Sequence, residues 1–437
     1  MPSTVSHSQL KSLSWRVNLL WTSAGTLVYA AGNWAILCLI AKLGTAEMVG
    51  QYALGLAVTA PVLMLAQMNL RAVLATDARG EHCFHDYWKL RLNGTLVGLA
   101  AIVALAAFGH ERKTAAVIIA VGLAQAVEGV SDIYYGLMQR HERMDRITVS
   151  LIWKGTLSLA ATGLGVWATG SVFWGVAAMF TGRLLVLVLY DAARGSRDFV
   201  AAEPKLESNF RQSTARQLSL LWLAAPLAAV MLLNSLCTNM PRYFVDHYMG
   251  TRELGIFSAA ASLVSLGNTM VNAIGQAVTP RLAKLLAWDG REKFASFSLG
   301  LMAAGGALGV CAVACAIWLG PWVLRLMFRP EYASHNDLLI VLMAAGAAGY
   351  VASMAGYAVT AARSFRPQAP VFALAAVVTL VACAWFIPTR GLAGAAIAVG
   401  ISSAVQLAGL AVIFVRVLWR GGATHRAVLA PEAPVEA

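Results

Sequence analysis

Four ionisable side chains lie in stretches of the sequence that are otherwise apolar. Glu128 and Asp132 are one helical turn apart in one stretch, and Lys154 and Arg183 follow in the next two. Carboxylates in such positions can hold a proton or a cation, whereas lysine and arginine can bind phosphate or pair with the carboxylates. Charges are costly in apolar surroundings, so the elements that carry these four residues decide which chemistry is available.

The composition predicts what those elements are. Of 437 residues, 59% are hydrophobic and only 12% are charged. Soluble domains carry roughly 25% charged residues, so a water-soluble globular protein is excluded, and disorder needs the opposite composition. The apolar residues form continuous runs of spanning length, which predicts an all-α integral membrane protein rather than a barrel. Twelve transmembrane helices are predicted, at 17–41, 48–70, 90–109, 114–138, 147–168, 171–190, 217–238, 254–277, 297–319, 338–361, 369–388 and 392–415.

The positions of the basic residues predict the orientation of these helices. With a cytoplasmic N-terminus, the inner segments hold 23 of the 33 lysines and arginines and the outer segments hold 8. Cytoplasmic loops of membrane proteins carry such an excess of positive charge. We therefore expect both termini in the cytoplasm. The same distribution explains the net charge of +12 without a nucleic acid partner.

The longest polar connection divides the predicted helices into two sets of six. The sequence predicts an N-terminal six-helix lobe at 1–190, a cytoplasmic linker at 191–216, a C-terminal six-helix lobe at 217–415 and a cytoplasmic tail at 416–437. Because each lobe has an even number of helices, both lobes run in the same sense and form parallel repeats.

A short motif supports this repeat. G-T-x-E begins at Gly44 after the first helix of one lobe and at Gly250 after the first helix of the other. An asparagine precedes both copies at the same distance, at Asn33 and Asn239, and the offset between the copies is 206 residues. Chance seldom places one motif twice at equivalent topological positions.

Three segments resemble the turns of a known family. They are YGLMQRHERM at 135–144, PRYF at 241–244 and MGTRELGIF at 249–257. Together with the helix number and the repeat layout, they resemble the bacterial polysaccharide flippases. These are the Wzx-like O-antigen and exopolysaccharide exporters of the multidrug/oligosaccharidyl-lipid/polysaccharide exporter superfamily.

The resemblance implies a function and a location. It implies two six-helix lobes around a central cavity that opens alternately to either side of the bacterial inner membrane. The implied substrate is an undecaprenyl-pyrophosphate-linked oligosaccharide repeat unit, flipped for the biosynthesis of O-antigen, lipopolysaccharide or exopolysaccharide. The implied partners are this lipid-linked oligosaccharide, membrane lipids, a polysaccharide polymerase and a chain-length regulator. No enzyme activity, catalytic residue or cofactor is expected.

Two interpretations of the four intramembrane charges stay open. In one, they form a neutral cluster of ion pairs that fixes helix packing. In the other, Lys154 and Arg183 face the cavity and bind the pyrophosphate, since arginine binds phosphate in a bidentate manner and lysine supplies a compact charge. Glu128 or Asp132 would then couple transport to a proton or a sodium ion.

Two further arginines are candidate substrate ligands. Arg71 lies at the inner end of the second predicted helix and Arg281 at that of the eighth, so their repeat positions are roughly equivalent. Both are candidates for capturing the pyrophosphate from the cytoplasmic leaflet. The six cysteines have no spacing typical of a metal site, so no metal is expected.

Two other functions are considered. A drug or metabolite:cation antiporter of the same fold would favour an acidic cavity, and two carboxylates against two cations do not decide the matter. A membrane polysaccharide polymerase or ligase would need a large outer loop for its chemistry. The longest outer segments, at about 239–253 and 320–337, hold no recognisable catalytic arrangement.

Overall fold

The computed structural model describes residues 15–76, 83–198, 210–362, 364 and 367–420. The core of the predicted linker, at 199–209, and the end of the predicted tail, at 421–437, lie outside the described residues. Long helices account for nearly all of the described residues. This is expected in a membrane interior, where no water is available to hydrogen-bond the backbone N–H and C=O groups. The helices are α1 Trp15–Leu43, α2 Ala46–Gln67, α3 Leu70–Thr76, α4 Phe84–Gly109, α5 Arg112–Arg140, α6 Met144–Thr169, α7 Val172–Val186, α8 Ala193–Asp198, α9 Phe210–Met249, α10 Thr251–Lys284, α11 Arg291–Met327, α12 Asn336–Ala361 and α13 Gln368–Arg420.

The number of spanning helices agrees with the sequence. Among the described residues, ten helices are long and apolar enough to cross a membrane. One of them, α13, is two helices that meet at a kink at Gly391, where φ is 60° and ψ is −136°. Pro388 precedes the kink by less than one turn, and glycine tolerates the positive φ. The 40-residue α9 is the twelfth helix, so the predicted twelve-helix membrane fold is confirmed.

Two helices of the first half of the chain depart from regular geometry in ways that the sequence did not predict. The predicted span 48–70 breaks at Met68 and Asn69, which both adopt left-handed backbone angles with φ of 49° and 48°. The chain therefore turns before α3. Farther along, a π-helical turn at Leu187–Ala192 joins α7 to α8, so the sixth spanning helix continues beyond its predicted edge at residue 190.

The chain packs as two compact units, Met1–Leu232 and Leu233–Ala437, referred to below as the first and second units. The division falls inside α9. In the first unit, α5 is central and contacts α2, α3, α4 and α7. In the second unit, α12 is central and contacts α10, α11 and α13. Both are the fourth spanning helix of their set of six, which agrees with a parallel repeat.

Small residues allow some helices to approach closely. A methyl group added at Gly165 of α6 would lie 2.8 Å from the Cα atom of Gly175 in α7 and 2.8 Å from the carbonyl oxygen of Trp174. Membrane helices use glycine in this way because backbone packing replaces the hydrophobic effect as the source of helix association.

We predict that Gly165→Ala lowers the thermal unfolding midpoint of the detergent-purified protein, because the methyl group overpacks this contact at a cost of about 1–3 kcal/mol. Gly300→Ala in α11 is the control, since no neighbouring heavy atom lies within 4 Å of the added carbon. It should leave the midpoint unchanged or slightly raised, because alanine is the better helix former. Equal midpoints for both variants would contradict the close contact.

Candidate functional site

A line of polar side chains runs along one face of α5, the central helix of the first unit. It consists of Glu128, Asp132, Tyr135 and Gln139, and we refer to it as the polar stripe. The spacing of four, three and four residues places these side chains one above another on a helix. Helices on several sides of α5 supply their partners, so the stripe is the place where the charges of this unit meet.

Asp132 is bound by two arginines from two different helices. Its Oδ1 accepts a hydrogen bond from Nη1 of Arg71 at 3.1 Å, and its Oδ2 accepts one from Nη2 of Arg91 at 3.3 Å. Arg91 is only 1% exposed, whereas Arg71 is 32% and Asp132 is 28% exposed. The left-handed turn at Met68 and Asn69, before α3, positions Arg71. The Nε of Arg71 also donates to Oε1 of Gln139 at 3.2 Å. Arg71 is therefore accessible to solvent, whereas Arg91 is buried.

Several donors around Arg91 have no hydrogen-bond partner among the described residues. They are Nε and Nη1 of Arg91 itself and the hydroxyls of Thr95, one turn farther along α4, and Ser131, next to Asp132. Nearly all buried polar groups in proteins are paired. The hydroxyls can accept as well as donate, but the guanidinium can only donate, so its unpaired N–H groups favour an anion.

Lys154 forms a second pair, with a residue that the sequence placed in the linker. Its Nζ lies 2.8 Å from Oδ2 of Asp191, and both side chains are fully buried. Nζ also donates to the hydroxyl of Tyr135 at 2.8 Å, and this hydroxyl is 2.7 Å from Oγ of Ser150. Asp191 lies in the π-helical turn after α7. The helix therefore extends past the end of the predicted apolar span at residue 190.

Arg183 forms the third pair and donates to side chains on three other helices. Its Nη1 donates to Oε2 of Glu128 at 2.7 Å, its Nη2 to Oδ1 of Asn33 at 3.1 Å and its Nε to Oγ of Ser158 at 3.4 Å. Arg183 is buried, whereas the Glu128 side chain is 31% exposed. Arg183 thus ties α1, α5 and α6 together, with one carboxylate edge left accessible.

The structure brings five of the six predicted site residues together and leaves one apart. Glu128, Asp132, Lys154, Arg183 and Arg71 all lie on the polar stripe or bind it. Their pairing agrees with the ion-pair interpretation, while the role of each in transport stays a prediction. As phosphate ligands, Lys154 and Arg183 would first have to leave their partners.

Arg281 lies in the second unit, where it is exposed and its guanidinium carbon is 4.8 Å from the centre of the Phe297 ring. It lines a cavity of about 640 Å³ together with Glu292 and Lys293. Arg71 and Arg281 occupy similar repeat positions, and each guanidinium lies near an aromatic ring, Tyr135 for Arg71 and Phe297 for Arg281. Their surroundings differ because Arg71 also has a carboxylate partner, Asp132.

Two charged members of the site, Arg91 and Asp191, are not among the residues that the sequence predicts for it. Arg91 lies at the start of the third predicted span, among the basic residues of the inner segments. Asp191 directly follows an apolar run that contains no proline, and the next glycine is Gly195. The absence of a helix-ending residue between them was the available signal that the helix continues.

Fold and site define an all-helical, multi-pass membrane protein with a charged interior in its first unit. The model of the family described as "Polysaccharide biosynthesis protein" (Polysacc_synt) matches residues 17–286, well over half of the chain. The chain belongs to this family. The expected relationship to Wzx-like polysaccharide flippases is thereby confirmed.

A curated relative and two solved structures agree with this assignment. The chain is 26% identical over 325 residues to the capsular polysaccharide biosynthesis protein CapF of Staphylococcus aureus, covering 74% of this chain and 80% of the relative. An inward-facing multidrug resistance MATE family transporter of the MOP superfamily is similar with a TM-score of 0.71 at 13% identity, covering 91% and 96%. A MOP superfamily transporter from Pyrococcus furiosus is described as having a binding pocket of reverse polarity. It is similar with a TM-score of 0.63 at 16% sequence identity, and the match covers 93% of this chain and 98% of that chain. These structures share the fold.

We predict that Asp191→Asn lowers the free energy of unfolding by about 3–5 kcal/mol, because it leaves the Lys154 ammonium buried without a counter-charge. The double variant Lys154→Met/Asp191→Leu should cost less than the single variant, since it removes both charges. The measurement is reversible unfolding in mixed detergent micelles.

Arg143→Gln is the control, because its pair with Asp145 at 2.8 Å is partly exposed and such pairs contribute about 1 kcal/mol or less. An Asp191→Asn effect no larger than that of the control would contradict the buried pair. The pair would also be contradicted if the double variant lost as much free energy of unfolding as Lys154→Met and Asp191→Leu lose in total when made separately.

Proposed function

We propose that this protein is a transporter that flips undecaprenyl-pyrophosphate-linked oligosaccharide repeat units across the bacterial inner membrane. In this proposal, two six-helix lobes provide alternating access, and the products serve surface polysaccharide biosynthesis. The observation that carries the proposal is membership of the polysaccharide biosynthesis family in a chain with the fold of MATE transporters. A polysaccharide polymerase and a chain-length regulator acting on the flipped product are the proposed partners.

The charge balance of the site favours an anionic substrate. The three connected groups contain four cations, namely Arg71, Arg91, Lys154 and Arg183, against the carboxylates of Glu128, Asp132 and Asp191. The sequence alone gave two charges of each sign. A net positive interior attracts a pyrophosphate and repels a cationic drug.

Asp132 suggests how a pyrophosphate is received. Its carboxylate places one oxygen on Arg71 and the other on Arg91, which is the arrangement that two phosphate oxygens adopt between guanidinium groups. Arg71 and Asp132 are both partly exposed, so the pair is accessible without unfolding of the unit. We infer that the pyrophosphate displaces the Asp132 carboxylate from Arg71, while Arg91 keeps the carboxylate within reach.

Ion coupling is the second part of the proposal. The carboxylates of Glu128 and Asp132 are each partly exposed, so a proton or sodium ion can reach them. Each is also paired with a buried arginine, Arg183 for Glu128 and Arg91 for Asp132. Neutralising either carboxylate weakens its hold on the arginine, and the arginine is then available to the pyrophosphate. In this way, binding of the ion and binding of the substrate are linked through the same salt bridges.

The competing candidate is a drug or metabolite:cation antiporter, which is favoured by the fold shared with a multidrug resistance transporter. The two candidates differ in what accumulates when the protein is lost. Loss of a flippase leaves lipid-linked repeat units on the cytoplasmic leaflet, whereas loss of a drug exporter produces sensitivity to cationic dyes.

We predict that deleting the gene abolishes the surface polysaccharide and leaves its lipid-linked repeat units on the cytoplasmic leaflet, as measured by their protection from periplasmic enzymes. Arg71→Gln should restore at least tenfold less polysaccharide than the wild type at equal membrane abundance, because it removes the accessible phosphate ligand. Arg194→Gln is the matched control, since Arg194 is exposed and lies 5.3 Å from the Tyr190 ring centre rather than on a carboxylate.

Full polysaccharide in the deletion strain, together with new dye sensitivity, would overturn the flippase proposal in favour of the antiporter. Full restoration by Arg71→Gln would instead remove Arg71 from the substrate path.

A further inference from the structure

A second polar cavity lies at the end of the first unit opposite the Asp132 site. Along α5, Arg112 lies about 30 Å from Asp132, at 1.5 Å per residue. The cavity has a volume of about 530 Å³ and lies among the beginnings of three helices, α2, α5 and α7. We name it the outer pocket. The side chains that matter for its chemistry are Thr45, Glu47, Gln51, Arg112, Lys113 and Ser171.

Two adjacent cations line the outer pocket at a helix N-terminus of the predicted outer side, where both the helix dipole and the positive-inside rule disfavour basic residues. Arg112 and Lys113 are the first residues of α5. Glu111 directly precedes them as the N-cap residue, and the first turn itself has no acidic residue. The N-terminus of a helix is already positive and normally attracts acidic side chains. Among the eight basic residues of the predicted outer segments, these are the only two adjacent ones. Both are exposed, and neither has an ion pair among the described residues.

Glu47 also lines the pocket, so the lining carries two cations and one carboxylate. Hydroxyl groups add donors to it. The Thr45 oxygen accepts a hydrogen bond from the backbone N–H of Met48, which leaves its own O–H available to a ligand. Arginine, lysine and hydroxyl donors around one cavity form a set suited to phosphate oxygens.

Two tryptophans indicate the level of this pocket in the membrane. Trp167 is 74% exposed and Trp174 is 57% exposed, and they flank the turn at Gly170 and Ser171 that lines the pocket. Exposed tryptophans of membrane proteins gather at the level of the lipid head groups. We therefore expect the pocket at the level of the lipid phosphates.

We propose that the outer pocket binds the diphosphate head group of the carrier lipid in the outer leaflet. This inference rests on the proposed function and extends it, because it gives the translocated lipid a binding site on the side of arrival. Arg112 and Lys113 bind the phosphate oxygens, and Thr45 and Ser171 donate to them. Glu47 and Gln51 face the first sugar, whose hydroxyls can donate to a carboxylate and an amide.

The test uses the full-length protein in neutral phosphatidylcholine nanodiscs and a photoactivatable analogue of undecaprenyl diphosphate. After illumination, mass spectrometry identifies the labelled peptides. We expect label on the peptides that contain residues 45–51 and 170–173, and at least a tenfold loss of that label in Arg112→Gln/Lys113→Gln. The control Arg252→Gln/Arg390→Gln removes two other cations of the predicted outer side and should keep the label. Equal loss in both double variants would overturn the proposal, since only overall charge would then matter.

Competition identifies the source of the phosphate. Unlabelled undecaprenyl diphosphate should displace the label at a lower concentration than phosphatidylglycerol does. Displacement first by phosphatidylglycerol would overturn the assignment to the carrier lipid in favour of a resident phospholipid. Because the assay measures no transport, label in a protein that does not flip the substrate would overturn the proposed function alone. Transport with no label at these peptides would overturn the outer pocket alone.

Discussion

A charge inside a membrane needs a counter-charge or water, and this requirement organises the first unit. The polar stripe of α5 meets it with three groups of ion pairs, each of which joins α5 or its neighbours to another helix. Lys154 and Asp191 are both buried and Arg183 is buried as well, whereas Arg71, Asp132 and Glu128, the partner of Arg183, are partly exposed. The same side chains therefore hold the helices together and leave part of their charge exposed, so packing and the proposed binding are not exclusive alternatives.

Two local departures from helical geometry make this arrangement possible. The left-handed residues Met68 and Asn69 end α2 and redirect the chain, so that Arg71 reaches Asp132 and Gln139. The π-helical turn after α7 brings Asp191 to Lys154. π-Bulges occur frequently at functional sites, because the extra residue moves a side chain off the regular helical face. Both departures lie at one end of the unit, toward the side predicted to be cytoplasmic.

The sequence predicted the fold well because apolar length is a strong signal in a membrane protein. It also located Glu128, Asp132, Lys154 and Arg183, since a charge within an apolar run is conspicuous. It did not reveal Arg91 or Asp191. Both lie at the edges of apolar runs, where a charge is ordinarily solvated, and only tertiary packing buries them. The left-handed break was also hidden, because Met68 has no preference for that backbone conformation.

The two units share a layout but not a chemistry. The fourth helix is central in each, yet α5 carries the polar stripe while α12 packs through alanine, glycine and leucine. We infer that the first unit supplies the charge that receives a pyrophosphate.

The most direct test is transport by the purified protein in liposomes, with a fluorescent undecaprenyl-pyrophosphate oligosaccharide whose outer-leaflet fraction is quenched by dithionite. We expect the quenchable fraction to reach equilibrium much faster than in protein-free liposomes, and neutralising Arg71 and Arg91 together to abolish the difference. Unchanged lipid movement, accompanied by efflux of a cationic dye from the same liposomes, would contradict this inference.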